Sequence, residues 1–196
     1  MTRRPVLALA RVTAQLGRRS RVTPLSTALV CALTGAFAQP AAAQGDVSAL
    51  SRVRSTNTLI ATVIDQVSER SATFRRLVET INASDGLVYV EEGQCGRGAR
   101  ACLVTVTVAG PNRLLSVWVD TRTIDPAFMG LIGHELRHAI EVLSDPRVTS
   151  GHAMSNFYSR QGSRPAEGRF ETQAAIEAGT AVGAEVRKYR TAAQAN

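Results

Sequence analysis

Two histidines and a glutamate in the middle of the chain have the spacing of a metal-dependent hydrolytic site. His134 and His138 are two of the three histidines in the sequence, and Glu135 directly follows the first. On a helix, residues four apart lie on one face, roughly 6 Å from each other, so both imidazoles can reach one ion. Glu135 is turned by about 100° from His134, so its carboxylate can lie beside the ion without binding it. These residues would supply two nitrogen ligands and a base for a coordinated water.

The residues on either side predict that this segment is a buried helix. Both flanks of the histidine pair are largely apolar. Asp125 followed by Pro126 is typical of a helix start, with the aspartate as cap and the proline in the first turn. Ser144, with a proline two residues later, is typical of a helix end.

The run His134-Glu135-Leu136-Arg137-His138 resembles the H-E-x-x-H signature of the zincin metallopeptidases. The resemblance extends chiefly over residues 125–180. It implies one catalytic Zn²⁺, a peptide or protein substrate, and Glu135 as general base. It also implies an edge strand over the metal cleft that pairs with extended substrate backbone. The chain lacks a third histidine at position 144, which argues against the metzincin branch.

A catalytic zinc ion needs a third protein ligand besides the two histidines. In the glutamate-ligand (gluzincin, thermolysin-like) branch it comes from a downstream helix, often within E-x-x-A, and Glu171 begins such a run. The resemblance therefore implies Glu171. Glu141 is the alternative, because it follows His138 by three on the same helical stripe. Three ligands on one straight helix make poor tetrahedral geometry, so we expect Glu141 to hold a histidine ring instead.

A hydrolytic site of this kind also needs a donor that stabilises the oxyanion of the transition state. Tyr158, His152 and Tyr89 are candidates, although each could equally be a packing residue with a solvated polar end. The competing hypothesis is a catalytically silent zincin-like module that binds zinc and a partner in the cell envelope. The intact Glu135 favours an enzyme, because a structural site needs no base. A helical adaptor in which the motif is accidental is a third hypothesis.

The first 43 residues have the composition of a secretory signal peptide. Residues 1–21 carry six arginines and no acid, residues 24–38 are apolar or small, and Ala41 to Ala43 form an A-x-A cleavage signal. A retained anchor is the alternative, but an apolar run of about 15 residues is shorter than the roughly 20 that span a bilayer. We therefore expect export to the periplasm or beyond, with no stable membrane anchor after cleavage.

The basic charge of the chain belongs to this leader. The sequence has 23 basic and 16 acidic residues. Without the six arginines of the leader, 17 basic residues remain against the same 16 acidic ones. A nearly neutral remainder gives no indication of nucleic acid as a partner.

The remainder, residues 44–196, is predicted to form one α+β domain, a minimal zincin-like fold. We expect a long first helix over residues 47–81 and short strands at 87–90, 104–108 and 114–119, the last two antiparallel. Helices should follow over residues 148–160 and 169–190, the last supplying the third ligand. Cys95 and Cys102 should form a disulfide across the loop between the first two strands, in preference to a cysteine metal site. The oligomeric state is not indicated.

Overall fold

The computed structural model describes residues 51–96, 98–161 and 170–194. This part of the chain is α+β, as predicted, with five helices and a four-stranded mixed sheet. The predicted leader, residues 1–43, lies outside it. In chain order the elements are β1 (Val53–Arg54), α1 (Thr58–Arg70), α2 (Ala72–Asn82), β2 (Gly86–Glu92), β3 (Ala101–Ala109), β4 (Asn112–Val119), α3 (Pro126–Leu143), α4 (Gly151–Arg160) and α5 (Gln173–Gln194).

The sheet has the order β1-β2-β4-β3. The β1-β2 and β2-β4 pairs are parallel, and β3 pairs antiparallel with β4, which confirms the predicted pairing of the second and third strands of the middle region. Alternate residues of β2 and β4 are buried, as period-two patterning requires. β3 is therefore an edge strand, and its pairing with β4 is irregular between Leu103 and Thr105.

The prediction of one long helix over residues 47–81 is wrong. Val53–Arg54 forms a strand, and the helical region is divided at Ser71 into α1 and α2. The backbone of Ser71 is extended, its N–H closes α1 on the carbonyl of Val67, and its hydroxyl accepts from the N–H of Phe74 to begin α2. Serine favours such a capping position because its short side chain competes for backbone hydrogen bonds.

Helix α3 begins and ends where the sequence predicts. Asp125 is its N-cap and accepts from the N–H of Phe128 at 2.7 Å, Pro126 is its first residue, and Ser144 is its C-cap. The buried residues of α3 belong to the core, which also takes residues from α1, α2, the sheet, α4 and α5. The α3 members of this core are Phe128, Met129, Ile132, Leu136, Ala139 and Val142.

Helix α5 packs against α3 more extensively than any other helix does. Glycines permit this approach, since a Cβ on Gly130 would lie 2.6 Å from the carbonyl oxygen of Gly179. The predicted start of the last helix, residue 169, lies outside the described residues. Helix α5 itself begins at Gln173, so Glu171 precedes it and is not part of it.

The C-terminal end of α3 is held by a buried arginine from β4. Arg113 is 4% exposed and donates to the carbonyl oxygens of Val142, Leu143, Asp145 and Val148. It also forms a two-point ion pair with Asp85. Because the last carbonyls of a helix lack helical partners, this arginine fixes the end of α3 against the sheet.

The predicted disulfide is confirmed, with Cys95 and Cys102 joined across the loop between β2 and β3. It ties that loop to the first residues of the edge strand. Within the described ranges, no helix combines the length and apolar character needed to cross a membrane.

Candidate metal centre

Three side chains meet at the junction of α3 and the segment before α5. The Nε2 atoms of His134 and His138 are 3.1 Å apart, and Nε2 of His134 is 3.3 Å from Oε2 of Glu171. One ligand atom from each residue lies within 4.8 Å of the others. For zinc bonds of about 2.0–2.1 Å, neighbouring tetrahedral ligand atoms are about 3.3–3.4 Å apart. The three residues therefore form a group that could hold a metal ion.

Burial favours the ligand form of the first histidine. Burial of the ring, assisted by the neighbouring His138, lowers the pKa of His134 below its usual value, while Glu171 and Glu141 oppose the shift. A neutral imidazole is the form that binds a metal, because a protonated ring nitrogen has no lone pair to donate. At neutral pH this ring is therefore ready to act as a ligand.

The other ring nitrogen of His138 faces a polar cluster. Its Nδ1 lies 3.0 Å from Oε2 of Glu141 and 3.2 Å from the hydroxyl of Tyr158. The structure thus brings Glu171, and not Glu141, to the Nε2 atoms. Although burial opposes it, hydrogen bonds with His138 and Thr172 hold the pKa of Glu141 below its usual value. Glu141 is therefore a carboxylate that can hold the ring of His138 in place.

Glu135 points toward the edge strand. Its side chain is buried, and its Oε2 accepts from the backbone N–H of Leu103 at 2.7 Å. Leu103 stands at the irregular step in the pairing of β3 with β4. Irregularities of this kind redirect backbone groups at sheet edges. The carboxylate of Glu135 is consequently fixed beside the two histidines, between α3 and β3.

A cavity of about 320 Å³ joins these groups. His134, Glu135, His138 and Glu171 all line it. One wall is formed by the chain from Ala99 to Val104, which includes the start of β3 and Cys102 of the disulfide. The remaining lining residues are Leu131, Met154, Tyr158 and Phe170. A molecule in this cavity would contact the candidate ligands, Glu135 and the edge strand together.

The three predicted oxyanion donors occupy different places. Tyr158 lines the cavity, but its hydroxyl is directed at Nδ1 and the carbonyl oxygen of His138, 3.2 and 3.1 Å away. Burial and the charges of Glu141 and Glu135 raise the pKa of Tyr158, so the hydroxyl stays protonated and can donate. His152 is exposed and lines a separate depression with Arg147, Asn156 and Arg160. Tyr89 lies on β2 and is not among the residues that line the cavity.

Two contributors to the site, the Leu103 N–H and the Thr172 hydroxyl, were not predicted from the sequence. The Leu103 N–H is a backbone group, and its direction depends on strand pairing that the sequence pattern does not encode. Thr172 donates to Oε1 of Glu141 at 2.7 Å and accepts from the N–H of Ala175. A threonine just ahead of an alanine-rich helix is a recognisable N-cap signal, and it could have moved the predicted start of the helix from residue 169 to 173.

The chain matches no protein-family model, no curated protein and no solved structure.

Proposed function

We propose that the chain is an exported zinc-dependent metallopeptidase of the zincin type, in its glutamate-ligand branch. The observation that carries this proposal is the meeting of His134, His138 and Glu171 in one cleft with the carboxylate of Glu135. A structural metal site would not need an additional acid at that position. The substrate would be a peptide or protein.

The donor set fits a single catalytic zinc ion. Two imidazole nitrogens and one carboxylate are a recognised set for catalytic zinc, which keeps its fourth position for water or substrate. When bound, such an ion supplies a Lewis acid and brings the pKa of a coordinated water toward 7. The lowered pKa of His134 supports this assignment, because a metal ion would not have to displace a proton from the ring at neutral pH.

The side chains and the edge strand would divide the remaining work. The carboxylate of Glu135 would accept the proton of the attacking water and deliver it to the leaving amine. The backbone of β3 along the cavity wall would bind extended substrate by strand addition. The bond from Leu103 to Glu135 supports this division, because it fixes the base at the strand on which the substrate would lie.

Export is part of the proposal. The disulfide between Cys95 and Cys102 is compatible with an oxidising compartment, where such bonds persist. The arginine-rich, apolar leader of residues 1–43 supports the same location.

A second candidate is the catalytically silent zinc-binding module. It is favoured by the hydrogen bond between Leu103 and Glu135, because Oε2 of Glu135 already accepts from the Leu103 N–H and the residue is only 6% exposed. In that case Glu135 would join α3 to β3, and the metal would stabilise the fold.

Metal content and turnover of a Glu135→Gln variant test the two candidates. Purified protein should carry one zinc ion and cleave a fluorescently labelled, unfolded protein substrate. Glu135→Gln should keep the metal, since glutamine can still accept from Leu103, while cleavage falls by roughly 10²–10⁴-fold. The exposed Glu79→Gln variant is the matched control and should cleave normally.

Three other results would each decide differently between the peptidase and the silent module. Zinc-loaded parent protein that cleaves no substrate would favour the silent module. Equal cleavage by Glu135→Gln and the parent would show that the peptidase proposal is wrong. Absence of any transition metal from the purified protein would rule out both candidates.

A further inference from the structure

Glu141 connects the two elements that carry the candidate metal ligands. One carboxylate oxygen, Oε2, lies 3.0 Å from Nδ1 of His138 on α3. The other, Oε1, accepts from the hydroxyl of Thr172 at 2.7 Å. Thr172 directly follows Glu171, so the carboxylate connects one candidate ligand to the neighbour of another. The side chain of Glu141 is 11% exposed, so water competes little for these bonds.

We propose that Glu141 and Thr172 are positioning residues that set the place of Glu171 relative to His138 and thereby determine the affinity for the metal. This inference rests on the proposed metal site and names two residues that govern it from outside. Neither residue is among the three candidate ligands. Glu141 acts on the ring of His138, and Thr172 acts on the backbone beside Glu171.

Glu171 is the candidate ligand that most needs such a connection, because it is much more exposed than the two histidines. The side chains of His134 and His138 are 13% and 5% exposed, whereas that of Glu171 is 44% exposed. Glu171 also lies two residues ahead of α5 and is outside that helix. The Thr172 hydroxyl restrains the chain one residue away. Partners of this kind typically contribute 10–100-fold in metal affinity.

Other contacts of both residues must be separated from the connection between them. The Thr172 hydroxyl accepts from the N–H of Ala175 at 3.2 Å and so caps α5 as well. Glu141 also lies 3.4 Å from the hydroxyl of Tyr158 and 3.7 Å from Nε of Arg137. A capping role alone would change the stability of α5 whether or not Glu141 is a carboxylate. The connection requires both residues together.

A double-mutant cycle on zinc affinity separates the capping role of Thr172 from its connection to Glu141. Chelator competition would measure the zinc affinity of the parent, Thr172→Val, Glu141→Gln and the double variant, with the melting temperature of each metal-free protein alongside. Valine has the shape of threonine without its hydroxyl. Glutamine has one acceptor oxygen, so it cannot accept from His138 and Thr172 at once as the carboxylate does. Visible absorption of bound Co²⁺ would report the geometry of the ligands directly.

We expect Thr172→Val to weaken zinc binding by about 10–100-fold and Thr172→Ser to restore it, because serine keeps the hydroxyl. In the Glu141→Gln background, the further loss from Thr172→Val should be much smaller. The Co²⁺ spectrum should change in Thr172→Val and return in Thr172→Ser. Asn57→Ala removes a comparable cap from α1, which carries no residue of the candidate site, and should leave zinc affinity unchanged.

Two results would overturn the inference in distinguishable ways. If the parent binds zinc and Thr172→Val binds it equally well, or the two losses simply add, Thr172 is only a helix cap and the metal site stands without the connection. If the parent binds no transition metal, the proposed function fails and the inference fails with it.

Discussion

The candidate ligands are of two kinds, the histidine pair on α3 and the glutamate before α5. His134 and His138 are one helical turn apart on a helix whose start, end and buried face all follow from local sequence. Glu171 is 33 residues further along and lies outside any helix. The histidines are largely buried, and the glutamate is nearly half exposed.

The histidine pair depends on local helix geometry, whereas the position of the glutamate depends on the whole fold. The separation of the two rings is fixed by helix geometry, so it persists as long as α3 forms. The place of Glu171 depends on how closely α5 approaches α3 and on the bond from Thr172 to Glu141. Substitutions at the two kinds of ligand should therefore reduce metal binding in different ways.

The largest expected effect is the loss of a ligand itself. His134→Ala should lower zinc affinity by well over the roughly 100-fold that loss of an outer partner costs, because a bond to the metal disappears. Glu171→Ala should weaken binding strongly as well, but leave two ligands held in their helical spacing. Metal stoichiometry after dialysis and chelator competition measure both. Greater loss in Glu141→Ala than in Glu171→Ala would show that Glu141 is the third ligand.

A smaller effect is expected where the fold brings the two helices together. Gly130→Ala places a Cβ 2.6 Å from the Gly179 carbonyl oxygen, and backbone cannot move aside as a side chain can. We expect a loss of roughly 1–3 kcal/mol in the free energy of unfolding, despite the better helix propensity of alanine. Zinc affinity should fall too, because a displaced α5 would draw the preceding Glu171 away from the unchanged histidine pair.

Gly151→Ala is the control for that experiment. It is also a helical glycine, but an added Cβ would meet only the Thr105 hydroxyl at an ordinary 3.5 Å. Urea unfolding of the metal-free proteins and chelator competition would measure both quantities. Full stability and affinity in Gly130→Ala would mean that the close approach of α3 and α5 is not needed.

The smallest effect is expected at the far end of α3, where Arg113 meets Asp85. The hydrogen bonds from Arg113 lower the pKa of Asp85 below its usual 3.8. A carboxylate with a lowered folded pKa contributes stability above its unfolded pKa and loses it as the pH falls through the folded value. Asp85→Asn should therefore cost about 1 kcal/mol at pH 7, and the difference should shrink as the pH falls below about 3.8 and disappear below the folded pKa of Asp85.

The zinc affinity of this variant shows whether the loss of stability reaches the metal site. Asp85 pairs with Arg113 at the C-terminal end of α3 and is not among the residues that line the cavity, so Asp85→Asn should bind zinc as the parent does. Urea unfolding at pH 7 and pH 3 would show the pH-dependent difference in stability. A cost that stayed the same at both pH values would show that the charge of Asp85 is not its source. Reduced zinc affinity would show that the histidine spacing is less local than proposed.

Much of the fold followed from short-range patterns. The cap at Asp125, the end at Ser144, the antiparallel pairing of β3 with β4 and the disulfide were all predicted. The first helix was predicted wrongly, because the apolar stripe continues through Ser71 while the backbone does not. The fully buried Ser71 donates to Glu185 on α5 at 2.6 Å, a contact 114 residues away.

Local sequence is enough to predict the histidine pair, the acid between them and the helix that carries them, since all three depend on the 3.6-residue turn and on capping. Three further features follow from the folded arrangement alone: Glu171 completes the group, Leu103 holds Glu135, and Glu141 connects His138 to Thr172. The cause of this difference is the separation of the groups along the chain. Backbone geometry fixes neighbours within a turn, whereas groups 30 or more residues apart meet only where packing and strand pairing bring them together.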